Sequence, residues 1–104
     1  MAQRILVLFN LKEGVTQDRY ENWARTKDIP GVNALKSVDD FSVFRNTGLL
    51  FADGEPPYAY FEILDINDMD TFGAEASTEA MQAVAAEFQN ELTKDLVFIT
   101  TEKL

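Results

Sequence analysis

A chain of 104 residues builds one domain with a real core and leaves no room for a second. Its 18 acidic residues against 9 basic ones give a net charge of -9, which repels phosphate backbones and anionic lipid and argues against nucleic acid and membrane surfaces as partners. Cysteine and histidine are both absent, which excludes disulfides, thiolate chemistry, histidine-ligated haem and any Ser-His-Asp triad, and removes the usual general base near neutral pH.

The N-terminus "MAQRILVLFNLKEG" holds an apolar run of five residues before Asn10, followed by Lys12 and Glu13. That run is too short for a signal peptide or a membrane span, so a cytoplasmic protein is expected. "RILVLFNL" reads as a strand, rich in branched residues and apolar on both faces apart from Asn10. Thr16 is placed to cap a helix with Asp18 in its first turn. The helix is predicted to end near Lys27, because Pro30 disfavours helical geometry at Ile29 and Gly31 suits a turn. Tyr20, Trp23, Ala24 and Lys27 form one stripe at helical spacing.

"ALKSVDDFSVFRN" (34–46) reads as a second strand, bent or bulged near Asp39-Asp40, and "TGLLFADGEPP" (47–57) as a loop that either lids a pocket or covers a dimer seam. "YAYFEILDI" (58–66) is a third strand, with Tyr58, Tyr60, Glu62 and Leu64 on one face. A short capped helix around Met69 and Phe72, broken at Gly73, precedes a longer one capped by Ser77, whose stripe is Met81, Val84, Ala85, Phe88 and Leu92. "DLVFITTEKL" closes the chain as a fourth strand.

The order β-α-β-β-α-β, with right-handed crossovers, predicts an α+β, ferredoxin-like domain over residues 1–104: a four-stranded antiparallel sheet with helices on one face. Two helices cover one sheet face only, yet the first and last strands are apolar on both. A second copy packed sheet against sheet, a homodimer, is the simplest cover.

No phosphate-cradling glycine loop, HExxH or GxSxG motif occurs. "DINDMD" lacks the glycine and closing glutamate of a calcium loop, so Asp65, Asp68 and Asp70 read as helix-start residues rather than metal ligands. Asn10 interrupts the most apolar strand; it either bonds loop backbone or orients a polar group of a ligand. Glu62 lies among large apolar residues, where its pKa would rise toward the range of a general acid or base, unless it pairs with Lys36 or Arg45. Tyr20 and Trp23 are core or site wall.

The strand ending "LFNLKEG", then "YENWART" with "IPGV", "PPYAYFEILDINDMDTF" and "STEAMQAVAAEF", resemble the dimeric α+β barrel superfamily, which includes antibiotic-biosynthesis monooxygenases, muconolactone isomerases and EthD-like proteins. Within it the chain resembles the small RedY-like (HapK) family, associated with prodiginine pigment biosynthesis. The resemblance covers nearly the whole chain and rests on element order and these phrases, without an invariant catalytic signature. It implies a homodimer with a barrel-like core and an apolar cavity in each protomer for a flat aromatic or polyketide intermediate, in several members without metal or flavin. EthD-like relatives often carry a histidine just after the first helix, where this chain has "RTKDIP", so histidine chemistry is not carried over.

Together these features predict an accessory protein of aromatic or pyrrole secondary metabolism that promotes cofactor-free condensation or cyclisation of a bound intermediate, with or without a partner enzyme. Glu62 is the expected acid or base, Asn10 the orienting group, and Tyr20, Trp23 and Tyr60 the ligand's walls. The alternatives are a cofactor-free monooxygenase and a non-catalytic carrier of a labile intermediate.

Overall fold

The computed structural model describes residues 2–104. Strand β1 (Gln3–Leu11) turns at Gly14, whose φ of 84° needs a residue without a Cβ, into helix α1 (Gln17–Trp23). The Thr16 side chain caps α1 by accepting from the Arg19 N–H at 3.1 Å. The helical path does not stop at Lys27. It widens into a π-helical segment, Ala24–Asp28, and continues as α2 (Ile29–Asn33), then β2 (Val38–Arg45). The Ile29 N–H reaches back to the Ala24 carbonyl, and Pro30 falls in the first turn of α2, where an N–H would have no intrahelical partner. A proline that signals a helix stop is thus absorbed at the start of a new turn.

Strand β2 begins four residues later than the alternation suggests, because Ala34 and Leu35 close the helix with bonds to Pro30 and Val32. The expected irregularity is present: its register against the next strand shifts between Val38 and Asp40. Strand β3 (Tyr60–Ile66) alternates strictly, with Tyr60, Glu62, Leu64 and Ile66 buried. Helix α3 (Met69–Ala76), capped by Asp68, runs through Gly73 rather than breaking there. The cap of α4 (Glu79–Ala86) is Thr78, not Ser77, whose hydroxyl instead donates to the Gly73 carbonyl and closes α3. A second π-helical segment (Glu87–Leu92) leads into β4 (Thr93–Thr101).

All strand pairs are antiparallel and the sheet order is β2-β3-β1-β4, the ferredoxin-like arrangement that right-handed crossovers require. The helices cover one face. Its core is an aromatic cluster: Phe9 stacks on Tyr60 with centroids 5.5 Å apart and meets Tyr20 and Phe88 edge-on at 5.4 and 5.1 Å. Such pairs add roughly 0.5–1.5 kcal/mol each beyond area burial.

The opposite face carries Leu6, Leu8, Phe61 and Ile63, joined across the register by Val97, Ile99 and Phe44. These side chains are only partly buried or exposed, and Phe44 stacks on Phe61 at 4.7 Å. Period-two alternation in strands that are apolar at nearly every position makes this outcome unavoidable.

Candidate functional site: a carboxyl pair in an apolar cavity

Between the covered sheet face and the helices lies a cavity of about 200 Å³. Every strand contributes to it, through Ile5 and Val7, Phe41, Glu62 and Leu64, and Phe98. Helical residues Val32, Phe72, Met81, Val84 and Phe88 complete an apolar wall. Three polar side chains interrupt it: Glu62, Asp28 and Gln89.

Glu62 is 5 % exposed in the middle of β3, and its Oε2 has no hydrogen-bond partner among the described residues. Neither sequence alternative for a partner holds: Arg45 instead donates to Glu21 at 2.8 Å, and Lys36 is exposed while Glu62 is buried. Burial, and then the charge of Asp28, raises the Glu62 carboxyl well above the ordinary glutamate range. Asp28 is 6 % exposed, and burial pushes its pKa up to about 7. Burial thus favours the protonated form of two carboxyls that line one cavity, the kind of environment in which acid–base groups are tuned toward neutral pH.

Asp28 is the residue that sequence reasoning missed. In an unbroken α-helix the stripe begun by Tyr20, Trp23 and Ala24 continues at Lys27. The π-helical turn inserts about one extra residue, so the inward position passes to Asp28. Lys27 is left exposed and approaches Glu87 at 3.9 Å. The usable signal was "DIPG": a proline that follows a helix without breaking it marks a widened turn just before it.

The other expected site residues fall elsewhere. Tyr20, Trp23 and Tyr60 belong to the aromatic cluster beside the cavity and are 0, 6 and 1 % exposed. The Tyr60 hydroxyl donates to Glu21 at 2.7 Å, whereas Tyr20 Oη and Trp23 Nε1 have no partner among the described residues. Tyr20 and Tyr60 line a second hollow of about 310 Å³ against Glu21, Arg25 and Arg45. Tyr20 is the closest of the three to the carboxyl pair in its electrostatics: burial raises its pKa, and the charges of Glu62 and Asp28 raise it further.

Asn10 is held at the strand end. Its Nδ2 donates to the Pro57 carbonyl at 3.1 Å and to Asp95 at 3.2 Å, and its Oδ1 accepts from the Ala59 N–H at 2.8 Å. Those bonds use the amide to anchor the end of loop 47–57, the bland alternative of the sequence reading, and Asn10 does not line the cavity. The loop does not line it either; Leu50 and Phe51 stand 82 and 98 % exposed.

Of the acidic stretch after β3, Asp65 pairs with Arg4 at 2.6 Å and Asp68 caps α3. Among the described residues no group of three or more His, Cys, Asp or Glu is placed to hold a metal ion. No helix among them is long and apolar enough to cross a membrane.

Sheet order and helix placement define a ferredoxin-like α+β protein of the type found in dimeric α+β barrels. Residues 3–104 match the family model described as REDY-like protein HapK, and the chain belongs to that family. The crystal structure of HapK from Hahella chejuensis matches with a TM-score of 0.78 at 25 % identity, covering 100 % of this chain and 93 % of that one. An EthD family protein from Bacillus halodurans matches at 0.72 and 17 % identity, with 100 % of both chains covered. A dimeric ferredoxin-like protein of unknown function from Thermobifida fusca matches at 0.71 and 20 % identity, covering 97 % of this chain and 90 % of that one. Comparison with curated protein sequences finds no match.

Proposed function

We propose that this protein serves aromatic or pyrrole secondary metabolism, in the setting of prodiginine-type pigments that the RedY-like resemblance implies. In this reading it binds a flat intermediate in the cavity between sheet and helices and promotes its condensation or cyclisation without a cofactor. The observation that carries the reading is the buried Glu62–Asp28 pair lining an otherwise apolar cavity. An uncompensated carboxyl pair there is destabilising, and acid–base work gives it a purpose.

Glu62, protonated, gives its proton to a departing or carbonyl oxygen, and Asp28 as carboxylate takes one from carbon or nitrogen. Holding the two reacting groups together in the cavity lowers the barrier by several kcal/mol more. Tyr20, Trp23 and Tyr60 act from behind the wall, by fixing Phe9 and Phe88, rather than by stacking on the ligand. Asn10 acts as a positioning residue for the strand-end loop. The protein works as a cytoplasmic homodimer through its uncovered apolar sheet face, and a biosynthetic enzyme supplies or receives its intermediate.

The test is native mass spectrometry of the protein incubated with mono- and bipyrrole intermediates, with Glu62→Gln alongside. Expected are a dimer, a bound intermediate and a mass change that the variant loses. Stoichiometric binding without turnover, indifferent to Glu62, would establish the carrier reading instead, and substrate-dependent oxygen uptake the monooxygenase. A monomer that binds nothing overturns the proposal.

A further inference from the structure

The lining of the cavity carries an electrostatic preference that no part of the proposed reaction states. Its two ionisable side chains are both acidic, and no lysine or arginine is among the described residues that line it. The basic side chains nearby are engaged outside: Arg25 and Arg45 with Glu21, and Lys27 with Glu87. Tyr20, the titratable neighbour from α1, is also acid-type and has no proton acceptor among the described residues. Among the described residues of the lining no cationic side chain faces an oxyanion, and only the Gln89 amide and a protonated Glu62 could donate to one, whereas a cation would meet Glu62 Oε2, which lacks a partner among them.

Two further features agree. Phe41, Phe72, Phe88 and Phe98 present aromatic surface to the cavity, and ring faces attract cations. Phe98, 58 % exposed on the edge strand, stands where the cavity meets solvent. A net charge of -9 also raises the local concentration of cations. At about 200 Å³ the cavity lies below the span of roughly 300–1,000 Å³ usual for drug-sized ligands, which suits a one- or two-ring molecule.

We infer that the cavity selects a planar nitrogen base, an amidine-, imine- or aminoheteroaromatic-type ligand that is cationic and donates its N–H groups to Glu62 and Asp28, and rejects carboxylates and phenolates. The inference rests on the cavity being the ligand site, as proposed above, but not on any turnover. The base sits with its nitrogens on the carboxyl pair and its ring among the phenylalanines.

Three ligands of one size separate the possibilities: benzamidine, benzamide and benzoate, titrated by NMR while following the backbone amides of residues 28, 62, 88 and 98. The expected order is benzamidine at least tenfold tighter than benzamide, with benzoate not bound. Asp28→Asn, which removes the partly ionised carboxyl, and Glu62→Gln, which replaces a carboxyl by a neutral amide of the same shape, each reduce the benzamidine preference severalfold and leave benzamide unchanged. Glu79→Gln, on the exposed surface of α4, removes the same formal charge and leaves the preference intact. Benzamide or benzoate binding as tightly as benzamidine overturns the inference while leaving the cavity as a ligand site. A preference that survives both cavity substitutions also overturns it, by tracing the preference to net charge alone. Failure of all three to shift these amides overturns the inference and the proposed site together.

Discussion

Asp28, the last residue of the first π-helical segment, and Glu62, at the middle of β3, line one cavity although neither is the other's neighbour in chain or in sheet. Both are more than nine-tenths buried. The aspartate sits there because a helix passes a proline by widening one turn, and the glutamate because β3 alternates strictly.

The first prediction concerns pH and stability. Both carboxyls have raised values in the folded state, so the folded protein holds protons that the unfolded chain has released. For Asp28 this happens between 3.8 and about 7. Its contribution favours folding below that window and is lost as pH rises through about 7, on the order of 4 kcal/mol across the full span. Urea unfolding at pH 5 and pH 8 should show the loss, and Asp28→Asn should flatten the slope and be the more stable protein at pH 8. A variant with the wild-type slope would show that Asp28 is not buried as a charge-averse group.

Asn10→Ala removes the three hydrogen bonds that join β1 to Pro57, Ala59 and Asp95. A loss of about 1–2 kcal/mol is expected, with faster amide exchange at residue 59 and unchanged benzamidine binding. Lost binding with unchanged stability would return Asn10 to the ligand site.

The uncovered sheet face yields an oligomeric prediction. Leu6 and Ile63 are cross-strand partners at its centre. Sedimentation should find the wild-type protein dimeric and Ile63→Glu monomeric, with circular dichroism unchanged. A monomeric wild type would refute the dimer.

Thr93→Val probes the second π-helical segment. The buried Thr93 hydroxyl donates to the Phe88 carbonyl at 2.6 Å, which also receives the Thr93 N–H, and so closes the segment that carries Phe88 to the cavity. Removing the hydroxyl should destabilise by about 1 kcal/mol in thermal or urea unfolding. An unchanged midpoint would mean that the backbone bond alone closes the turn.

Element order, strand alternation and the two-faced apolarity of β1 were legible in the amino acids, because side-chain direction in a strand follows from position alone. So was Glu62 as a carboxyl in apolar surroundings. Position in a helix translates into direction only while the turn keeps its pitch. At Asp28 it does not, so Lys27 was read inward and Asp28 was overlooked. Gly73 and Ser77 show the same limit more mildly: local propensity suggested a break and a cap, and packing of α3 and α4 chose otherwise.

By itself, then, the sequence determined the fold and the exclusion of histidine and thiolate chemistry, since periodicity and composition are properties of the chain. The tertiary structure decided which polar groups meet. Hydrogen bonds at the strand end turned Asn10 toward a loop, and one widened helical turn brought Asp28 to Glu62. Both outcomes depend on contacts between distant segments, which no local pattern encodes.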